Sequence, residues 1–338
     1  MKIYTKQELN EFNYSLTYDD ISLIPTQVSR IKSRIEAVTN CEFLGVKLNF
    51  PVVSSPMDTV TGLEMASELS RLGCLGILNR FDSSLSELLK NEEINSSVKA
   101  VSIALNTPLK EVEKLIDRGY IICIDTANAN NCTVLNKTEE IKNNFNVPII
   151  VGNIAHGGTL QQLENAGADA VRVGIGSGSV CTTSVQTGIG IGQVSSLLNV
   201  FYTKQKAKLK IKIIADGGIK NAGDIAKAIA LGADVVMLGR MLAGTRETPG
   251  EVIKYQGQLW KKYRGSASFG VKMRNHFIEG EETMVAYKGV VKNVIDSIAD
   301  GLRSTMSYMN CLNLEELRNA DTFAVLTSSS FLERLPQI

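Results

Sequence analysis

The segment Gly174-Ile175-Gly176-Ser177-Gly178-Ser179-Val180-Cys181-Thr182-Thr183 places a thiol at the end of a glycine-rich polar loop. Alternate glycines let the backbone turn sharply and leave carbonyls and N–H groups uncovered. Such a loop can coordinate a hard cation through carbonyls or an anion through N–H groups. A thiol beside two threonines can attack an electrophilic carbon, with hydroxyls at hand to carry the proton. Taken alone, the segment reads equally as a glycine-rich turn with a buried cysteine.

A second group lies downstream. Ile211–Ala215 leads into Asp216-Gly217-Gly218. An aspartate ending a strand can accept two hydrogen bonds from a vicinal diol such as a ribose. The glycines after it let N–H groups approach a phosphate, and a helix starting near Asn221 adds its positive end. Taken alone, the same tripeptide also reads as a simple β-turn. Leu238-Gly239-Arg240 ends the next strand, with Arg240 either a phosphate ligand or a solvated charge. Val147–Gly152 leads into Asn153. Asp125, followed by Thr126-Ala127-Asn128, either orients a second ligand's ribose or amide or caps the next helix. The two histidines, His156 and His276, are too far apart in sequence to suggest a histidine triad or metal cluster.

These groups need a scaffold that brings strand ends together. Strand-length β-branched runs occupy 51–54, 74–78, 99–104, 120–125, 147–151, 170–173, 211–215 and 234–238. Helical patterns lie between most of them, as at Gly62–Leu72, Leu109–Asp117, Thr159–Ala166 and Ala222–Leu231. Eight buried strands with intervening helices predict a (β/α)8 TIM barrel rather than a doubly wound sheet. Ser55, Asn79, Asp125, Asn153, Gly174, Asp216 and Gly239 then ring the mouth at the strand C-termini. Residues 1–50 form an N-terminal arm, and the tail from 250 is long enough for part of it to cover the mouth as a flap. The expectation is one catalytic domain over 1–338, with a further helix and a short last strand between Val291 and Leu326.

Composition is that of an ordinary globular chain, 44% hydrophobic and 21% charged over 338 residues, ample for a core of this size. A net charge of +1 gives no electrostatic case for nucleic acid or an anionic membrane. No apolar run approaches the ~20 residues that span a bilayer, and the opening MKIYTKQELNEFNYSL is too polar for a secretory signal. The six cysteines are scattered without metal-ligand spacing, and Cys41, Cys74, Cys123 and Cys311 read as small core hydrophobes. A reducing, cytoplasmic compartment is expected.

The stretches LTYDDISLIP (16–25), PVVSSPMDTVT (51–61), CIDTAN (123–128), GADAVRVGIGSGSVCTT (167–183), IIADGGIKNAGDIAKAIALGADVVMLG (213–239), AGTRETPGE (243–251), YRGSAS (263–268) and AYKGVV (286–291) occur in this order. Through them the chain resembles the IMP dehydrogenase/GMP reductase family along nearly its whole length. The resemblance implies a (β/α)8 barrel, commonly tetrameric, acting on carbon 2 of a purine nucleotide. It implies that Cys181 forms a thioimidate to that carbon and that Asp216 binds the ribose. Ser179, Gly218 and the Gly239-Arg240 end would bind the 5′-phosphate, Ser55, Met57, Gly265 and Ser266 would frame the base, and Asn153 belongs to the same substrate site. Carbonyls of Gly176, Gly178 and Cys181 match the family's potassium site. A nicotinamide cofactor, NADPH with NADH or NAD as alternatives, would lie near Asp125 and Asn128.

Within the family, the resemblance favours a GMP reductase, with an NAD-dependent IMP dehydrogenase as the alternative and a catalytically silent nucleotide-binding relative as a third reading. Asp82–Ser97 leaves no room for the regulatory module that dehydrogenases usually insert. Phe269–Ile278 carries no Arg-Tyr pair of the kind that activates water in dehydrogenases; Arg274 is followed by Asn275. Glu279 with Thr183 matches the reductase positions that protonate departing ammonia, and Asn128 stands where dehydrogenases place histidine. Ser54-Ser55-Pro56-Met57 points the other way, and Ser184 and Arg240 depart from both patterns.

Overall fold

The computed structural model describes residues 2–81, 98–268 and 279–334. Eight parallel strands form the central sheet. They are β1 (Val52–Ser54), β2 (Ile77–Leu78), β3 (Ala100–Ile103), β4 (Ile121–Asp125), β5 (Ile149–Ile154), β6 (Ala170–Val173), β7 (Lys212–Asp216) and β8 (Val235–Leu238). Each pairs with its sequence neighbour, and β8 pairs with β1. The ring closes just before β2, where Ser54 N–H donates to Leu75 O at 2.9 Å and Leu75 N–H to Val52 O at 3.0 Å. This is the expected (β/α)8 barrel, in the expected strand order, with boundaries shifted by a few residues.

The barrel has two cores because strand side chains alternate between faces. Val53, Ile77, Ala100, Ile121, Cys123, Ile150, Ala170, Ile214, Val235 and Met237 form one cluster, the barrel interior. Val52, Val101, Ile122, Ile124, Val151, Val171, Val173, Ile213 and Val236 face outward into the larger cluster shared with the helices. The bottom of the interior is stoppered by a hairpin that the sequence did not announce, Cys41–Phe43 paired with Val46–Leu48. Its Phe43 and Leu48 belong to the interior cluster.

Alternation also fixes what lies above the apolar interior. Two residues beyond Cys123, Ile150, Ala170 and Ile214 come Asp125, Gly152, Arg172 and Asp216, on the same face toward the C-terminal mouth. The interior therefore ends in a charged layer.

The arm and tail embrace the barrel. Ile21–Leu23 pairs antiparallel with Phe323–Val325. Helix Val291–Tyr308 packs on helix Ala222–Ala230 so closely that a Cβ on Gly301 would lie 2.4 Å from that of Ala222. The predicted flap contains a three-stranded antiparallel sheet: β9 (Ile253–Tyr255), β10 (Gln258–Arg264) and β11 (Glu282–Ala286). The 82–97 and 269–278 segments, including Arg274, Asn275 and His276, lie outside the described residues. No helix of the described residues is long and apolar enough to cross a membrane.

Phe43 is fully buried, so Phe43→Ala should open a void beneath the interior cluster. A loss of about 3–5 kcal/mol is expected in urea unfolding. A loss below about 1 kcal/mol would show that the hairpin does not stopper the barrel.

Candidate active site

Cys181 stands at the mouth in a relay with two partners. Its Sγ–H donates to Thr183 Oγ1 at 3.2 Å, and the Thr183 hydroxyl donates to Glu279 Oε2 at 2.8 Å. Glu279 comes from the far side of the flap and is held by backbone: Thr182 N–H donates to Glu279 O (3.0 Å), Glu279 N–H to Ala267 O (3.1 Å) and Glu281 N–H to Val180 O (2.9 Å). The flap and the cysteine loop are thus hydrogen-bonded in register, with Cys181 opposite Gly280.

The other thiols differ in setting. Burial pushes those of Cys74 and Cys123 up to about 12, and those of Cys41 and Cys311 up to about 11. They stay protonated at neutral pH, as expected for small core hydrophobes. Cys132 is exposed at the start of helix Cys132–Asn144. Among these cysteines, Cys181 alone has a hydroxyl–carboxylate path for its proton.

Asp216 sits at the end of β7, and its Oδ2 accepts three bonds: from Arg172 Nε (3.1 Å), Arg172 Nη2 (2.9 Å) and Asn153 Nδ2 (2.8 Å). Among the described residues nothing donates to its Oδ1, and the residue is only half-buried, so this oxygen remains an acceptor for a ligand hydroxyl. Arg172 Nη1 reaches across to Asp125 Oδ1 at 2.7 Å. Burial alone would lower the guanidinium's pKa, but the Asp216 and Asp125 carboxylates outweigh it and hold Arg172 above its ordinary value.

Arg172 is the residue that the sequence reading passed over. It lies in the strand-length run Ala170–Val173, whose other three residues are apolar. The signal was present: a charge on the inward face of a buried strand must be paired. Gly152 is part of the same arrangement, since a Cβ there would lie 2.4 Å from Arg172 Cβ.

Asp125 neither caps a helix nor offers a free carboxylate. Its oxygens face Arg172 and, at 3.4 Å, Arg80 Nε, while Asn131 caps the following helix. Asn128 is exposed and its Oδ1 accepts from Asn130 N–H at 3.0 Å. His156 is a cap, accepting from Gly158 N–H at 3.1 Å.

The mouth has a second unanticipated member in Tyr263. Tyr263 Oη shares a hydrogen bond with Ser179 Oγ at 3.2 Å, and a Cβ on Gly239 would lie 3.2 Å from that hydroxyl and 3.4 Å from Met57 Sδ. Ser55, Met57, Ser179, Gly239 and Tyr263 therefore converge. Burial raises the Tyr263 pKa, while the Ser179 hydrogen bond and the nearby Arg240 charge oppose the rise. Gly218, with φ +74°, donates its N–H to Ser177 O at 3.0 Å, so that N–H is engaged within the protein. Arg240 is exposed.

Gly265 and Ser266 follow β10, whose Arg264 donates to Asp58 Oδ2 through Nε at 2.8 Å and also through Nη2. This ties the flap to the turn that carries Met57. Buried Gln193 steadies the glycine loop, donating to Val173 O at 2.6 Å and accepting from Ser177 Oγ at 3.0 Å. Ser184, unusual in the sequence pattern, packs beside Gly176 and Gly190, where added Cβ atoms would lie 3.1 Å and 2.9 Å from its own.

The carbonyls of Gly176 and Cys181 receive no hydrogen bond among the described residues, and that of Gly178 accepts from Cys181 N–H at 3.1 Å. No group of three or more His, Cys, Asp or Glu that could hold a metal occurs among the described residues.

A model of the IMP dehydrogenase / GMP reductase domain matches residues 15–337. The chain is 32% identical to an inosine-5′-monophosphate dehydrogenase of Cryptosporidium parvum, with 94% of each chain covered. It is 33% identical to a GMP reductase of Bacillus licheniformis, covering 93% of this chain and 97% of the relative. Against a GMP reductase of Streptococcus gordonii the identity is 36%, with 95% and 98% covered.

Removing Arg172 should strand two carboxylates inside the mouth. Arg172→Met is expected to cost about 3–5 kcal/mol in chemical unfolding, as when one member of a buried ion pair is deleted. Adding Asp125→Asn and Asp216→Asn should recover part of that loss. A triple variant no more stable than Arg172→Met would argue against the network.

Proposed function

We propose that this chain, which belongs to the IMP dehydrogenase/GMP reductase family, is an oxidoreductase of the reductase type, converting GMP to IMP and ammonia with NADPH. The observation that carries this reading is the Cys181–Thr183–Glu279 relay. It gives a nucleophile a route for its proton and gives a leaving amine a route to receive one.

The overall change needs the thiol's own proton, one hydride from the nicotinamide and one proton from solvent. Thiol addition at carbon 2 sends the Cys181 proton through Thr183 to Glu279. The same proton returns to the amino group, which departs as ammonia and leaves a thioimidate. The nicotinamide cofactor, when bound, supplies the hydride that replaces sulfur at carbon 2. The thiolate then leaves and takes up a solvent proton. Splitting substitution into addition and displacement lowers each barrier, and a positioned acid at the departing amine contributes typically ~10²–10⁴-fold.

Asp216 Oδ1 would accept from the ribose, with Asn153 and Arg172 orienting the carboxylate. Ser179, Tyr263 and Gly239 would hold the 5′-phosphate, with Arg240 beside them and Gly218 shaping the turn. Ser55, Met57, Gly265 and Ser266 would frame the base. For the cofactor, the donor amide of Asn128 fits a polar ligand at the mouth, and Asp125, oriented by Arg172 and Arg80, keeps acceptor capacity for the same ligand. The uncovered carbonyls of Gly176 and Cys181, with Gly178, fit a potassium ion, which would fix the loop behind the nucleophile. One catalytic barrel over 1–338, assembled as a homotetramer in the cytoplasm, completes the proposal.

The second reading is an NAD-dependent IMP dehydrogenase, supported by Ser54-Ser55-Pro56-Met57 and by dehydrogenase relatives at comparable identity. The intact relay weighs against a silent nucleotide-binding protein.

With GMP and NADPH, absorbance of the reduced cofactor should fall. Cys181→Ala should abolish turnover, and Glu279→Gln should slow it by ~10²–10⁴-fold while changing GMP affinity little. Brisk reduction of NAD with IMP, yielding XMP, would establish the dehydrogenase instead. Replacing potassium by lithium at matched ionic strength should lower the rate, and equal rates would remove the cation from the proposal.

A further inference from the structure

Next to the phosphate end lies a cavity of about 540 Å3 that the reading above does not use. It opens between the start of helix Ala222–Ala230 and the first turns of helix Val291–Tyr308, and its lining includes Arg240, Lys288, Asn221, Asn293 and Ser297. No carboxylate lines it. Acids on the adjoining segments are committed elsewhere: Asp224 accepts from Lys220 N–H and pairs with Lys227, Glu247 Oε2 accepts from Val291 N–H at 2.8 Å, and Asp296 pairs with Lys292.

Its two cations differ from the other cation in the wall. Lys220, also in the lining, is paired with Asp19. Arg240 and Lys288 form no ion pair among the described residues. Lys288 is fixed in place, its Nζ donating to Arg240 O at 2.8 Å and Met241 O at 3.1 Å. Arg240 and Lys288 thus line one space with no carboxylate between them, and burial together with the neighbouring Arg240 charge depresses the Lys288 pKa. Arg240 follows Gly239, where a Cβ would lie 3.2 Å from the Tyr263 hydroxyl, so the cavity adjoins the Ser179–Tyr263 pair.

We propose that this cavity receives a phosphate group through Arg240 and Lys288, as an accessory subsite continuous with the 5′-phosphate end of the nucleotide site. The group is either the second phosphate of a guanosine 5′-diphosphate or a separate phosphate ion. The diphosphate case rests on the nucleotide reading above; the free-ion case does not. Guanidinium and ammonium groups suit a phosphate's spread charge, and the N–H groups opening helix Ala222–Ala230 add a favourable field.

The test is calorimetric titration of the full chain, in phosphate-free buffer, with GMP, GDP and inorganic phosphate. Two variants probe the cavity. Lys288→Gln removes one cation, and Asn293→Asp adds a repelling charge in the first turn of helix Val291–Tyr308, where an acid is favourable to folding. In both, affinity for GDP, for phosphate, or for both should fall about tenfold or more, a change of about 1.4 kcal/mol, while GMP affinity holds. A fall for GDP alone identifies the second phosphate; a fall for inorganic phosphate identifies the separate ion. Unchanged GDP and phosphate affinities, or an equal loss for all three ligands, would overturn the subsite. If the unmodified chain fails to bind GMP, the nucleotide reading fails, and the phosphate titrations alone decide the cavity.

Discussion

An arginine inside a barrel is the constraint around which the mouth is arranged. Arg172 occupies an inward position of β6, where its neighbours toward the bottom are apolar. A guanidinium cannot lie there without countercharge. Asp125 on β4 and Asp216 on β7 provide it, one on each side. The span across β5 requires a residue with no side chain, and Gly152 stands at that point. One buried charge thus dictates the residue types at three neighbouring strand ends. It also turns Asp216 so that one oxygen is held and the other is free.

The Cys181–Thr183–Glu279 relay is arranged by a different device. Cys181 and Thr183 belong to the loop after β6, while Glu279 arrives from the flap. Backbone hydrogen bonds, not side-chain packing, set their register: Cys181 is opposite Gly280, and Gly280 is opposite Ser268. Main-chain pairing is well suited to this, because a one-residue slip would turn the carboxylate to the other face. The Arg264–Asp58 ion pair anchors the same flap to the turn after β1. Cys181, its Thr183–Glu279 path and the Ser179–Tyr263 pair are therefore held by one connected frame.

Much of this was legible in the residues. The eight strand runs were readable because β-branched residues cluster in buried parallel strands, and polar strand ends marked the mouth. Asn221 was readable as a helix start and is the N-cap of Ala222–Ala230. Short strands in the arm and flap were not, since Cys41–Phe43 and Ile253–Tyr255 are too brief to show a period. Asp125 illustrates the limit more sharply. Its position at a strand end was right, but its partner is 47 residues away, two strands along the sheet. Nothing local in Asp125-Thr126-Ala127-Asn128 distinguishes a carboxylate facing a ligand from one facing an arginine. Tyr263 escaped for the same reason, because its partner Ser179 lies 84 residues earlier in the chain.

Ring closure has a consequence for how such a chain is made. β1 is among the first strands synthesised, yet its partner on one side, β8, begins at Val235. During synthesis the growing sheet therefore carries two open edges, each with unpaired backbone groups able to capture a strand from another chain. The hairpin Cys41–Val46–Leu48 is made before β1 and is local, so the bottom stopper can form early; the side wall cannot. Pairings this distant in sequence are slow to form, and partly built α/β sheets of this size are prone to associate wrongly. The open interval ends only when β8 has emerged and docked against Val52–Ser54.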